Sequence, residues 1–236
     1  MSGTGVISGV GVGPGDPDLL TLKAHRLITR ADVIAYPAPN EGDSLARSIV
    51  AGFLPGGQEE IAIRISMDPG AFPPRDVYAR AAADIGACAE AGKSVVILCE
   101  GDPFFFGSFM YLFEQLSRRW AVEIVPGVSS MMASAAALRM PLAKRNDVVS
   151  VIPATHEEAI IATRLAHADT AIFIKVGRHI AKVRSVLECA GLLDRAHYIE
   201  RATMATERLM PLANMNEETA PYFSMVLVRC GEDFSC

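Results

Sequence analysis

The chain has 236 residues, half of them hydrophobic, which is enough for one large folded core or two modest ones. Its net charge of −5 is spread over mixed signs, which argues against a general nucleic-acid-binding protein, since that class needs a basic face. The five cysteines lie far apart without a Cys-x-x-Cys pair, and no histidines stand at metal-ligand spacing, so we expect reduced thiols and no protein-bound metal.

The first residues, Met-Ser-Gly-Thr-Gly, lack the basic start and the cleavage pattern of a signal peptide. No apolar run in the sequence reaches the length of a membrane span. We therefore expect a cytoplasmic protein that contacts neither a membrane nor nucleic acid.

Strands and helices are predicted to alternate through the first half of the chain. Asp18 and Thr21 are both possible caps of the first helix, and Pro37 and Pro39 are expected to stop the second strand. Strands are predicted at residues 5–13, 33–36, 61–65, 95–99 and 121–125, and helices at 19–30, 44–53, 75–91 and 108–119. This alternation predicts an α/β fold with a mostly parallel sheet.

The second half repeats the alternation more loosely and ends with strands in succession. Strands are predicted at residues 148–152, 170–175, 197–200 and 222–229, and helices at 129–138, 157–168 and 180–190. Successive strands favour a mixed sheet. We therefore predict two α/β domains, residues 1–125 and 126–236, the first with a mostly parallel sheet and the second with a mixed one.

The segment 94–107 carries a buried apolar strand that runs directly into Glu100-Gly-Asp-Pro103. This turn must expose backbone at the carboxyl end of the strand, which is where ligands bind in open α/β sheets. Glu100 and Asp102 make the turn a poor site for phosphate. A cation, a ribose hydroxyl or an amine is better suited to it.

Two further turns follow predicted parallel strands. The glycine-rich run from Gly9 to Asp16 fails the G-x-G-x-x-G test in every register, and Pro14 lacks the N–H that a phosphate would need. Pro126-Gly-Val-Ser-Ser130 offers hydroxyls and N–H groups at a helix start. Because parallel strands bring their carboxyl ends to one edge, we expect a pocket there for a ligand without phosphate, such as S-adenosylmethionine.

Five segments together resemble the tetrapyrrole (corrin/porphyrin) methylase family. They are Gly11-Val-Gly-Pro-Gly-Asp-Pro-Asp-Leu-Leu-Thr-Leu-Lys-Ala24, Glu100-Gly-Asp-Pro-Phe-Phe-Phe-Gly107, Pro126-Gly-Val-Ser-Ser130, Val176-Gly177 and Glu200-Arg-Ala-Thr203. The resemblance covers almost the whole chain in order, and the second and third segments are most similar to members that methylate C-20 of precorrin-2.

The resemblance implies a homodimer of two-domain chains with an active-site cleft between the domains, S-adenosylmethionine as methyl donor and S-adenosylhomocysteine as product. It implies a tetrapyrrole substrate, and arginine side chains would pair with the carboxylates of that substrate. The cofactor residues carried over are Pro14, Glu100, Gly101, Asp102, Phe105, Ser129, Ser130, Val176, Arg201, Ala202 and Thr203. The substrate-binding candidates are Tyr36, Arg64, Arg145 and Arg178.

The catalytic base is left unassigned. Uroporphyrinogen methylases of the family carry an Asp after the tyrosine of the second strand, but here Tyr36 is followed by Pro37, so Tyr36, Glu100 and Asp102 remain candidates by expected proximity. The open alternatives are the same reaction on the cobalt-containing ring, methylation at another ring position, methylation of a protein histidine derivative as in diphthine formation, and a non-catalytic S-adenosylmethionine-binding module.

Overall fold

The computed structural model describes residues 5–65 and 75–231. The chain divides into two compact units, Met1–Ser129 and Ser130–Cys236, called here the first and second unit. The predicted domain boundary after residue 125 lies close to this division and stays a prediction. The predictions made for the first four residues and for Cys236 lie outside the described residues.

The first unit contains a five-stranded sheet in the order β3-β2-β4-β1-β5, in which every neighbouring pair is parallel. Its strands are β1 (Ile7–Gly11), β2 (Val33–Pro39), β3 (Glu59–Ile65), β4 (Val95–Cys99) and β5 (Val122–Val125). The predicted mostly parallel sheet is confirmed. All five carboxyl ends therefore lie along one edge of the sheet.

Helices cover both faces of this sheet. They are α1 (Leu22–Arg30), α2 (Leu45–Ile49), α3 (Arg75–Glu90) and α4 (Phe109–Leu116). The central strand β4 contributes side chains to the hydrophobic cores on both faces of the sheet. Ile97 and Cys99 pack with α3 and α4, whereas Leu98 packs with α1 and α2. Burial on both faces explains why β4 is apolar at every position.

The start of α1 is set by a single side-chain cap. Thr21 Oγ1 accepts the N–H of Ala24 at 3.1 Å, so Thr21, and not Asp18, is the N-cap. Residues Pro17–Leu19 form a separate 3₁₀ turn, in which Asp16 Oδ1 accepts the N–H of Asp18 at 2.9 Å. The helix therefore begins three residues after its predicted start.

The second strand continues through the prolines that were expected to stop it. β2 pairs with β3 from Val33 to Pro39 but with β4 only from Val33 to Ala35. Beyond Ala35 no strand in the described part of the chain pairs with that edge of β2, and a residue without an N–H is tolerated on such an edge. Strands β2 and β4 thus separate toward their carboxyl ends.

The second unit contains a mixed sheet in the order β6-β7-β10-β8-β9, as predicted, with β6 and β7 parallel and the other pairs antiparallel. The strands are β6 (Val149–Pro153), β7 (Thr170–Ile174), β8 (Ala196–Glu200), β9 (Arg208–Pro211) and β10 (Ser224–Arg229). β9 was not predicted. Three of its four residues are exposed, so this edge strand lacks the apolar alternation by which strands are recognised.

Three helices pack on the second sheet. They are α5 (Ser130–Ala137), α6 (Glu158–Leu165) and α7 (Ile180–Cys189). The larger core joins α6 and α7 to one face, with Phe173 and Tyr198 fully buried, and the smaller core on the other face includes Ala135 of α5.

Within residues 5–65 and 75–231, Cys88, Cys99, Cys189 and Cys230 are free thiols. In the same ranges no helix is both long and apolar enough to cross a bilayer. No group of three or more His, Cys, Asp or Glu side chains in these ranges is placed to hold a metal ion.

Replacing Thr21 by Ala should destabilise the protein by about 1 kcal/mol, because the N–H of Ala24 then loses its acceptor. Equilibrium urea unfolding measures the change. Thr21→Ser keeps the hydroxyl and should stay within a few tenths of a kcal/mol of the parent; equal losses in both variants would show that the cap does not stabilise α1.

Candidate functional site

Two turns at the carboxyl edge of the first sheet are joined by a pair of backbone hydrogen bonds. The N–H of Gly101 donates to the carbonyl oxygen of Gly13 at 2.8 Å, and the N–H of Gly13 donates to that of Gly101 at 3.3 Å. The turn after β1, which carries Pro14, is therefore tied to the turn after β4. The predicted convergence of these turns is present in the structure.

The turn after β5 joins them through glycines in direct backbone contact. A Cβ on Gly127 would lie 2.1 Å from the carbonyl oxygen of Gly101, and one on Gly11 would lie 2.6 Å from the same oxygen. Real Cβ atoms do not approach so closely, so any side chain would push the turns apart. Here glycine is required by close approach of the backbone.

The Asp102 carboxylate braces two of these turns, those after β4 and β5. Its Oδ1 accepts the N–H of Phe104 at 2.9 Å and its Oδ2 accepts the N–H of Gly127 at 3.1 Å. The carboxylate thus holds the turn after β4 in shape and links it to the turn after β5. This structural use was not predicted, because Asp102 was interpreted as a cofactor residue and as a candidate base.

The three phenylalanines that follow Asp102 are only partly covered. Phe104 and Phe106 are each 46% exposed, and Phe105 meets Phe106 edge to face at 5.0 Å between ring centroids. Phe106 has a φ of +56°, a left-handed backbone that is rare outside glycine. The predicted cofactor residue Phe105 therefore lies in a sharply turned segment whose aromatic side chains are partly exposed and do not belong to the fully buried core.

A pocket of about 340 Å³, including space open to solvent, lies where β2 and β4 separate. We call it the fork pocket. It is lined by Pro37, Ile63, Ile65, Tyr78, Ile97, Leu98, Cys99, Glu100, Gly107, Ser108, Phe109 and Leu112. Among the described residues that line it, Glu100 is the one carboxylate, and burial in this apolar setting raises the pKa of the Glu100 side chain.

Two predicted substrate residues of the first unit already have protein partners. The Tyr36 hydroxyl donates to Glu60 Oε2 at 2.8 Å, while Arg47 holds the same carboxylate through Nε at 3.1 Å and Nη2 at 2.9 Å. Burial, followed by the bond to Glu60, raises the pKa of Tyr36. Arg64 donates through Nη1 to the carbonyl oxygens of Pro39 at 2.8 Å and Gly42 at 3.1 Å.

In the second unit, the predicted residues Arg201, Ala202 and Thr203 form a strained turn after β8. Arg201 and Thr203 have φ values of +48° and +69°. The buried Glu200 accepts the hydroxyl of Tyr198 and, at 3.0 Å, Nη1 of Arg201. Burial, and then Glu200, raise the pKa of Tyr198, so the phenol stays a donor that helps to fix the turn.

Val176 lies at the same sheet edge as that turn. β7 and β8 are each antiparallel to β10, so they run in the same direction and their following turns share an edge. Val176 is buried between Lys175, with a φ of +56°, and Gly177, with a φ of +21°. The predicted substrate residue Arg178 is exposed, and its Nε lies 3.5 Å from Nε2 of His179.

Arg145 is displayed on a turn that is anchored to a buried cation. The N–H of Asp147 donates to the carbonyl of Lys144 at 2.9 Å, and Arg145 has a φ of +46°. Asp147 Oδ2 accepts Nη2 of the buried Arg229 at 2.7 Å, and this bond lowers the pKa of Asp147. The sequence signal for this anchor is Arg229 at the end of β10, directly after the apolar residues Met225–Val228.

The structure therefore groups the predicted cofactor residues by unit. Pro14, Glu100, Gly101 and Asp102 lie in the joined turns of the first unit, with Phe105 beyond them and Ser129 after β5. In the second unit Ser130 begins α5, while Val176 and Arg201–Thr203 follow β7 and β8. Their roles in binding remain predictions.

Comparison with known proteins finds one matching family, described as "Tetrapyrrole (Corrin/Porphyrin) Methylases", over residues 6–215. The chain is 41% identical over 238 residues to precorrin-2 C(20)-methyltransferase of Sinorhizobium sp, covering 97% of each. It is 36% identical over 228 residues to cobalt-precorrin-2 C(20)-methyltransferase of Salmonella typhimurium, covering 95% of this chain and 96% of that protein.

Other matches differ in length or in identity. The chain is 41% identical over 239 residues to cobalamin biosynthesis protein CobIJ of Mycobacterium tuberculosis, which covers 98% of this chain but only 47% of CobIJ, about half its length. The structure of uroporphyrin-III C-methyl transferase from Thermus thermophilus in complex with S-adenyl homocysteine matches with a TM-score of 0.71 and 26% identity, covering 96% of this chain and 98% of that one.

Gly127→Ala should destabilise the protein by about 1–3 kcal/mol, because its Cβ has no room beside the Gly101 carbonyl. Urea unfolding measures the loss. Gly52→Ala is the matched control: a Cβ there meets nothing within 4 Å, so its stability should change by less than about 0.5 kcal/mol. Equal effects would contradict the close contact of the turns.

Asp147→Asn should lower stability at neutral pH, because Arg229 loses its charged partner while the amide can still accept the N–H of Lys144. The lowered pKa of Asp147 stabilises the fold above the unfolded-state pKa of about 4, and this contribution is lost as pH falls through the folded-state value. Urea midpoints of the two proteins should therefore converge in acid. Asp194→Asn, at an exposed position, is the matched control and should stay within about 0.5 kcal/mol of the parent at neutral pH.

Proposed function

The chain belongs to the tetrapyrrole (corrin/porphyrin) methylase family, and from that premise we propose that it methylates C-20 of precorrin-2 in cobalamin biosynthesis. The methyl donor is S-adenosylmethionine, and the products are precorrin-3A and S-adenosylhomocysteine. The observation that carries the proposal is the 41% identity to precorrin-2 C(20)-methyltransferase of Sinorhizobium sp across 97% of both chains.

The joined turns of the first unit fit such a methyl donor. Gly11, Gly101 and Gly127 bring three backbone turns into contact without side chains between them, and a carboxylate at Asp102 suits a ligand without phosphate. The residues that would hold the donor are Pro14, Glu100, Gly101, Asp102, Phe105, Ser129, Ser130, Val176, Arg201, Ala202 and Thr203. When bound, S-adenosylmethionine supplies a methyl group on a positively charged sulfur.

The main catalytic task of the chain is to position the reactants. A meso carbon of a reduced tetrapyrrole is already electron-rich, so holding it in line with the transferred methyl lowers the barrier without covalent help. Exposed arginines can pair with the substrate's carboxylates in bidentate fashion. Arg64, Arg145 and Arg178 are exposed and are proposed for this role, and Tyr36 is proposed as a further substrate-binding residue.

A second candidate substrate is the cobalt-containing form of the same ring. The 36% identity to the Salmonella cobalt-precorrin-2 enzyme, over 95% of this chain, favours it independently. A tetrapyrrole brings its own metal, so this candidate needs no metal ligand from the protein. We also propose that the enzyme is a cytoplasmic homodimer.

A single-turnover incubation with carbon-13-methyl S-adenosylmethionine and fresh precorrin-2, read by mass and carbon NMR, tests the proposal. One added methyl at C-20 is the expected result. The matched incubation uses the cobalt-containing ring, and transfer to that ring alone would move the proposal to the cobalt substrate. Transfer to neither, with the donor still bound, would leave a non-catalytic S-adenosylmethionine-binding module.

A further inference from the structure

Methylation at a ring carbon that carries hydrogen leaves one proton to remove. The sequence offers three candidate acceptors, Tyr36, Glu100 and Asp102, all near the carboxyl edge of the first sheet. Their hydrogen bonds and burial differ enough to separate them.

Tyr36 is held in the wrong protonation state for a base. Its hydroxyl donates to Glu60 at 2.8 Å, and Arg47 fixes that carboxylate with two further bonds. Burial and the neighbouring carboxylate raise the pKa of Tyr36. The phenol therefore keeps its proton at neutral pH and acts as a donor.

Asp102 is committed to the backbone of the turns. Each of its carboxylate oxygens accepts a backbone N–H, from Phe104 and from Gly127. A proton on Oδ1 would weaken the bond to Phe104 within the turn after β4, and a proton on Oδ2 would weaken the bond to Gly127 that joins this turn to the one after β5. The hydrogen bonds that Asp102 accepts therefore disfavour its protonation during catalysis.

Glu100 differs from both. It is half-buried at the end of β4, and among residues 5–65 and 75–231 it is the one carboxylate that lines the fork pocket. The backbone N–H groups of Glu100 itself and of Ala46, at the start of α2, lower the pKa of this carboxyl, yet burial outweighs both and raises it. A carboxylate with raised proton affinity is a better general base near neutral pH.

We propose that the Glu100 carboxylate accepts the proton released from the methylated ring carbon. This inference rests on the proposed function. The C–H bond of that carbon breaks, its electron pair returns to the conjugated ring, and the proton bonds to a carboxylate oxygen of Glu100. Charge and atoms balance without an oxidant or a second co-substrate.

Glu100→Gln tests the inference because the amide keeps an oxygen for the Ala46 N–H but cannot take the proton. In the single-turnover assay with precorrin-2, we expect it to form product about 10²–10⁴-fold more slowly. The parent rate should rise with pH as Glu100 loses its proton, and the variant should lack this dependence. Glu100→Asp keeps a carboxylate and should recover part of the rate, while Glu114→Gln, exposed on α4, should match the parent.

Two readouts do not depend on turnover. Binding of S-adenosylhomocysteine, measured by calorimetry, should change less than about twofold in Glu100→Gln, since Glu100 is proposed to hold the donor through its backbone, which the variant keeps. Carboxyl carbon NMR of the protein alone should show one glutamate that titrates above the ordinary range and is missing in the variant. Among the described residues, the elements around Glu100 carry the titratable or charged side chains of Tyr36, Arg47, Tyr78, Cys99 and Asp102, together with Glu60 and Arg64 on β3 and Arg75 and Asp76 on α3. Burial raises the pKa of Cys99 far from this range, and Arg47 stays charged.

The outcomes separate this inference from the proposed function. A parent enzyme that transfers methyl, with Glu100→Gln equally fast and equally pH-dependent, would overturn the role of Glu100 and leave the function standing. Loss of S-adenosylhomocysteine binding in Glu100→Gln would show that the side chain binds the cofactor, and it would overturn the proposed role as proton acceptor. A parent that methylates neither ring would overturn both.

Discussion

The contact among Gly11, Gly101 and Gly127 is the constraint on which the first unit's site depends. Three turns from three parallel strands can meet there only because none has a side chain at the crossing. The mutual bonds of Gly13 and Gly101, together with the Asp102 brace, then hold the turns in register. Packing of bare backbone thus brings N–H and C=O groups to one edge of the sheet.

In the second unit the turns are stabilised differently, because a buried charged side chain anchors each turn that carries a predicted site arginine. The buried Glu200 accepts hydrogen bonds from Tyr198 and from the Arg201 side chain. The buried Arg229 donates to Asp147 and so anchors the turn that carries Arg145. Both displayed arginines have left-handed backbone. Such conformations cost about 1–2 kcal/mol each and persist only where the surroundings impose them. The buried partners supply that restraint.

Elements with a strong local pattern could be predicted, and those set by tertiary pairing could not. β4 was predicted with its observed bounds because every residue from Val95 to Cys99 is buried and apolar. β9 is exposed, and β2 passes through two prolines only because β4 leaves its side. Within the site, the meeting of the turns followed from parallel topology. The Asp102 brace and the Glu200 and Asp147 anchors depend on side-chain partners that no local pattern specifies.

The left-handed backbone conformation of Arg145 and Arg201 also affects how these positions would change under selection for stability. Glycine at Arg145 or Arg201 would relieve backbone strain, so selection for thermal stability alone would favour it. The same replacement would remove a guanidinium from an exposed turn. Under the function proposed above, Arg145 binds the substrate and Arg201 the methyl donor, so stability and activity would favour different residues at these two positions. Variants selected for heat resistance alone would then lose a proposed binding group.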